Sequence, residues 1–76
     1  MRRDTFVNRN LRLILRRKGV RQTELAQRSG LDYQSVHRAV NGGRPIYADE
    51  LPLLAGALGE SPLALLGMEE KGDPLS

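Results

Sequence analysis

The chain has 76 residues, with 12 Lys+Arg against 9 Asp+Glu (net charge +3), one His, no Cys and no Trp. That is enough for one small domain and excludes a two-domain enzyme with a deep cleft. Zero cysteine excludes a disulfide scaffold and a thiolate metal site, and a single histidine, His37, excludes a His-rich catalytic metal centre.

The hydrophobic fraction, 39%, suits a folded chain more than a disordered one. No apolar run approaches the ~20 residues needed to cross a membrane. The opening Met-Arg-Arg-Asp is followed by no apolar stretch of signal-peptide length, so the expected location is the cytoplasm, at the nucleoid.

The pattern predicts short helices and no strands. Helix 1 is expected over about Thr5 to Lys18, with Asp4 or Thr5 as cap and Gly19 as stop. Val7, Leu11, Ile14 and Leu15 share one face, with Phe6 a further candidate, and Arg9, Arg12, Arg16 and Arg17 lie mostly off it. Helix 2 reads Gln22 to Ser29 with Leu25 and Ala26 inward, stopped by Gly30. Helix 3 reads Tyr33 to Asn41, capped by Asp32 and stopped by Gly42, with Val36, Ala39 and Val40 apolar.

Helix 4 is expected from about Ala48 to Leu58, with Leu51, Leu54, Ala55 and Leu58 inward. Pro52 is tolerable only in a first turn, so this helix should begin late, with Asp49 a candidate cap. Helix 5 is short: Ser61 caps, Pro62 takes the first position, Leu63 and Leu66 pack, and Gly67 ends it. Residues 1–67 then form the domain, and 68–76 a flexible acidic tail.

Charge divides along the chain. Residues 1–44 carry eleven of the twelve bases and three acids; residues 45–76 carry Lys71 and six acids. A basic half beside an acidic half suits one face for a polyanion, although a solvated Arg-rich surface would read the same way.

Segment 22–42 holds the chemistry. It describes two short helices joined by a tight turn at Gly30-Leu31-Asp32, with Ala26 small enough for close approach and Leu31 and Val36 filling the gap. Such a pair can set its second helix in the DNA major groove. Around it stand Leu11 and Ile14, Lys18-Gly19-Val20, Gln22-Thr23-Glu24-Leu25-Ala26, Asn41-Gly42 and Leu54-Ala55-Gly56-Ala57-Leu58-Gly59. With these residues the sequence resembles the phage-repressor helix-turn-helix family, the Cro/lambda-repressor or Xre type, over roughly residues 7–67.

The resemblance implies a compact all-α, five-helix lambda-repressor-like DNA-binding domain with the helix-turn-helix at helices 2 and 3. It places Tyr33, Gln34 and Arg38 at base-reading positions, with Ser35 and His37 as further base-contact candidates. Their chemistry suits the role: Gln can bond adenine N6 and N7 together, and Arg guanine O6 and N7. Gln22 and Asn41 fall where the family holds phosphates, and Arg21 and Arg44 are further phosphate candidates. Asn41 could equally be a helix-end residue with local hydrogen bonds, and His37 a surface or phosphate-side histidine. Arg2 and Arg3 are either a groove-following arm or a disordered terminus. Glu60 and the tail acids should face away from DNA.

Three positions depart from the family. Arg21 stands where Ser or Thr often caps helix 2. Leu15 and Val40 replace a frequent Arg–Glu pair between helices 1 and 3, which supports a Leu15–Val40 apolar contact instead. Pro52 disturbs the helix 3–4 connection.

No nucleophile–His–carboxylate set can be assembled around His37, and no phosphate loop follows a strand, so neither enzyme nor cofactor is expected. The expected function is sequence-specific DNA binding by a transcriptional regulator, a repressor that occludes a promoter. A homodimer would use Leu63, Leu65, Met68 or the helix 4–5 surface, with Leu65, off the Leu63/Leu66 face, the best exposed contact. Two rival readings are an antitoxin-type protein that also binds a protein partner, and an interaction module without DNA binding.

Overall fold

The computed structural model describes residues 4–68; Arg2, Arg3 and the tail acids of the sequence reading lie outside them. Five α-helices follow in order: α1 (Phe6–Lys18), α2 (Gln22–Ser29), α3 (Tyr33–Asn41), α4 (Leu51–Leu58) and α5 (Pro62–Leu65). A single 3-10 turn, Ala48–Glu50, leads into α4. The described residues contain no strand.

Each start has a local cause. At α1 the Thr5 hydroxyl accepts from the Asn8 N–H at 3.4 Å, and Asn8 Oδ1 accepts from the Thr5 N–H at 2.8 Å. Thr5, not Asp4, is therefore the cap, with Asn8 in the place of the usual Glu or Gln of a capping box. At α3 the Asp32 carboxylate accepts from the N–H groups of Gln34 and Ser35. At α5 the Ser61 hydroxyl accepts from Leu63 N–H.

Two expectations about the second half are corrected. Asp49 does not cap α4. It sits inside the 3-10 turn, and the neighbouring Glu50 accepts from the Tyr47 N–H at 3.0 Å. The α-helix proper starts at Leu51, so Pro52 stands in its first turn and removes no helix hydrogen bond. Leu65 is not an exposed contact either: it is fully buried, while Leu63 is 45% exposed. The cause is that α5 is one turn long and is seated against α1, where Asn10 Nδ2 donates to the Leu65 carbonyl at 2.8 Å. Phe6 also stays outside, 53% exposed.

The core draws on every helix. Leu11, Ile14 and Leu15 of α1 meet Leu25 and Ala26 of α2, Val36, Ala39 and Val40 of α3, Leu54, Ala55 and Leu58 of α4, and Leu65. Leu15 and Val40 are thus both buried in one apolar cluster. Polar ties join α1 to the C-terminal end of α3 beside it. Asn8, fully buried, donates to the Ala39 carbonyl at 2.6 Å and the Arg44 carbonyl at 3.0 Å. Arg12 donates to the Val40 carbonyl at 2.7 Å and holds both carboxylate oxygens of Asp4. A helix end must satisfy its last carbonyls from elsewhere, and here α1 supplies the donors. Gly42, at φ 79°, ends α3 directly under Asp4, which leaves no room for a Cβ.

Candidate nucleic-acid interface

The turn between α2 and α3 is built from small polar parts. Ser29 is buried; its hydroxyl donates to the Ala26 carbonyl and accepts from the Leu31 N–H. Gly30 takes φ 79°, a conformation side-chain-bearing residues rarely adopt, and its N–H also returns to Ala26. Leu31 follows, half-buried against the core. α3 is thereby fixed across α2, with its apolar stripe down.

The opposite stripe of α3 is outside. Tyr33, Gln34, His37, Arg38 and Asn41 are exposed, and Ser35 is half-buried. The structure sorts these residues into three groups. Gln34 and Arg38 lie beside a shallow depression shared with Asp32, Ser35 and Arg44. Among the described residues neither side chain enters a hydrogen bond or ion pair, so their donors and acceptors are available to a partner. Tyr33 and His37 flank a second, more open depression with Arg21, Gln22 and Thr23 of the α2 N-terminus. The Tyr33 and His37 rings stack, centroids 5.9 Å apart and 27° between planes.

Within that second group His37 Nδ1 lies 2.9 Å from Gln22 Oε1. Asn41 Nδ2 donates to the His37 carbonyl at 2.9 Å and lies 3.1 and 3.4 Å from the two ring nitrogens. Gln22 is the first residue of α2, whose free N–H groups favour an anion. Arg21 precedes it with no side-chain cap of its own, and its backbone N–H is taken by Glu24 at 2.9 Å.

Ser35 and Arg44 form the third group, and it faces inward. All five N–H donors of Arg44 have acceptors in this chain. Nε donates to the Ser35 carbonyl, Nη2 to the Ser35 hydroxyl and Glu50, and Nη1 to the Pro45 carbonyl and Glu50. The guanidinium also lies 5.5 Å from the Tyr47 ring centre. Arg44, expected from sequence to be a phosphate contact, thus has its whole fork engaged within the chain in this structure. Its work in this structure is to tie the loop after α3 to the middle of that helix.

Other charged groups are also paired. Glu60, between α4 and α5, meets Lys18 at 3.1 Å and Arg17 at 3.5 Å. Sequence reasoning missed Asn8, Asp4 and Arg12, which hold the end of α3. The Thr5-x-x-Asn8 spacing was the only trace of that arrangement. Among the described residues there is no cluster of His, Cys, Asp and Glu able to hold a metal, and no helix is long and apolar enough to cross a membrane.

Comparison with curated proteins and with solved structures finds no match. A family model does match, over residues 10–71, and it describes a Cro/C1-type helix-turn-helix DNA-binding domain. That span takes in the α2–α3 pair, its turn and the helices that support it. With an exposed polar stripe on α3 and a matching model over most of its length, the chain belongs to the Cro/C1-type helix-turn-helix DNA-binding family.

Proposed function

We propose that the protein is a sequence-specific transcriptional regulator that inserts α3 into the major groove and represses by covering a promoter. The observation that carries this reading is the pair Gln34 and Arg38, exposed on a helix whose other face is buried and whose two ends are fixed, with no partner for either side chain among the described residues. Tyr33 joins them as a base or methyl contact. Gln22 and Arg21 hold the backbone beside the α2 N-terminus, and Asn41, whose amide nitrogen donates to the His37 carbonyl, serves as the local hydrogen-bonding residue that ends α3. Ser35 and Arg44 take a supporting role, since each is bound to the other.

A domain this small reads few bases, so useful specificity calls for a homodimer on half-sites about one helical turn apart. Leu63, Met68 and the helix 4–5 surface, where Leu53 is also exposed, are the contacts that remain for it once Leu65 is buried. The protein-partner reading has less support. Glu50 and Glu60, acids of the second half that could meet a basic partner, are already paired with Arg44 and with Lys18 and Arg17.

Selection of bound duplexes from a randomised pool, by the purified protein at near-physiological salt, tests the proposal. Enrichment of a two-fold-symmetric site supports it. DNA retained without any enriched sequence reduces the function to phosphate binding, and no retention overturns it.

A further inference from the structure

We infer that His37 is a positioning residue for backbone contact: its imidazole sets the direction of the Gln22 amide, and does not itself read a base. The inference rests on the DNA-binding reading above and deepens it.

The geometry is specific. His37 Nδ1 is 2.9 Å from Gln22 Oε1. An amide oxygen only accepts, so the ring is a donor at Nδ1. Asn41 Nδ2 donates to the His37 carbonyl and lies 3.1 Å from Nδ1 and 3.4 Å from Nε2, so it touches the ring while its hydrogen bond goes to the backbone. One ring thus touches the first residue of α2 and the last residue of α3. The Tyr33 ring, stacked at 5.9 Å, limits its rotation.

The consequence falls on Gln22. A side-chain amide has one accepting end and one donating end, and a phosphate wants the donating end. With Oε1 held by His37, the Gln22 NH₂ is the end left to face outward, over the N-terminus of a helix that already favours an anion. Without the ring the amide is free to turn and offer its oxygen to the phosphate, which repels it. His37 contributes by removing that alternative before binding, so less ordering is left to the encounter.

Binding of the full chain to its selected site, with wild type, His37→Phe, Gln22→Ala and the double variant, tests this. Phe keeps the ring on Tyr33 and removes both ring nitrogens. His37→Phe should weaken binding by about tenfold, the loss of one to two net hydrogen bonds. The loss should be equal across sequences. The His37→Phe loss should vanish in the Gln22→Ala background, the mark of one residue acting through another. The salt slope should not change, because no cation is removed from a phosphate. Unaltered melting of His37→Phe separates these effects from folding.

A changed base preference in His37→Phe would overturn the inference in favour of direct reading. Wild-type affinity, an additive loss in the double variant, or a slope reduced by about 0.9, the value for one cation on a phosphate, would also overturn it. If wild type itself selects no site, the DNA reading fails first, and that failure is distinct from the others.

Discussion

Arg44 and Glu50 close a two-pronged ion pair, Nη1 to Oε1 at 2.8 Å and Nη2 to Oε2 at 2.9 Å, each side chain only 13% exposed. The pair connects the loop after α3 to the entrance of α4, and through Ser35 it reaches α3 itself. Burial pushes the Glu50 carboxyl up. The hydrogen bonds from Arg44 and from the Tyr47 N–H, with the charge of Arg44, outweigh that and leave it below its ordinary value.

A depressed carboxyl makes stability depend on acid in a definite direction. The contribution of Glu50 is present in full above the unfolded value of 4.5, and it is lost as pH falls through the lower folded value. Arg44→Ala should cost about 1–3 kcal/mol at neutral pH, since it leaves a sheltered carboxylate unpaired. Glu50→Gln should be less stable than wild type at pH 7, and the gap should narrow in acid. Thermal melting from pH 7 down to about pH 3, spanning the carboxylate range, checks this. A gap that stays constant over that range sinks the account.

Much of the fold was legible because it is local. The limits of α2 and α3 follow from Gln22, Gly30, Asp32 and Gly42, all within a few residues of the ends they set. The pairing of Arg44 was not legible because its acceptors are not local in pattern. Ser35 is nine residues back and Glu50 six ahead, and only the path of the loop brings them together. Counting Arg44 with a basic half and Glu50 with an acidic half hid the pair. Leu65 was misplaced for a related reason: a one-turn helix has no periodicity to read, and its buried side is chosen by α1.

Asn8 is the second non-local feature, and its stability effect should be large. Its side chain accepts from the Thr5 N–H and hydroxyl and donates to the Ala39 and Arg44 carbonyls, with no exposure. Asn8→Ala strips donors from two sheltered carbonyls and should cost about 2–3 kcal/mol. Asn8→Asp is the sharper variant. A carboxylate would face both carbonyl oxygens, so at neutral pH this variant should be less stable than the alanine one. Urea unfolding reads both, as a lower midpoint at unchanged slope. An Asn8→Asp protein as stable as wild type would mean that the side chain does not donate as described.

The residues proposed to face DNA divide by what they should change. Arg38→Ala should lose about 1–3 kcal/mol at the preferred site and relax one base position, with Gln34→Ala doing the same at another. Arg21→Ala should instead weaken all sequences alike and lower the salt slope by about 0.9. Titration of each variant against the selected site and single-base variants, at several salt concentrations, separates the two patterns. Specificity that moves with Arg21 and not with Arg38 would reverse the assignment of the two arginines.

Leu65 and Leu63, two residues apart in α5, should separate folding from assembly. Leu65 is fully buried, so Leu65→Ala leaves a cavity and should cost about 2–4 kcal/mol. Leu63 is 45% exposed and Met68 64%. Leu63→Ser with Met68→Ser should change stability by less than about 1 kcal/mol, as surface substitutions do. If this surface joins two copies, the double variant should still bind an isolated half-site with wild-type affinity. It should lose the extra affinity for a two-half-site operator, because linking two modules gives avidity without new contacts to DNA. Sedimentation of the free protein and binding to both duplexes read the two effects together. Full operator affinity in the double variant would move the dimer contact elsewhere on the domain, and a variant that unfolds would show that Leu63 and Met68 belong to the core after all.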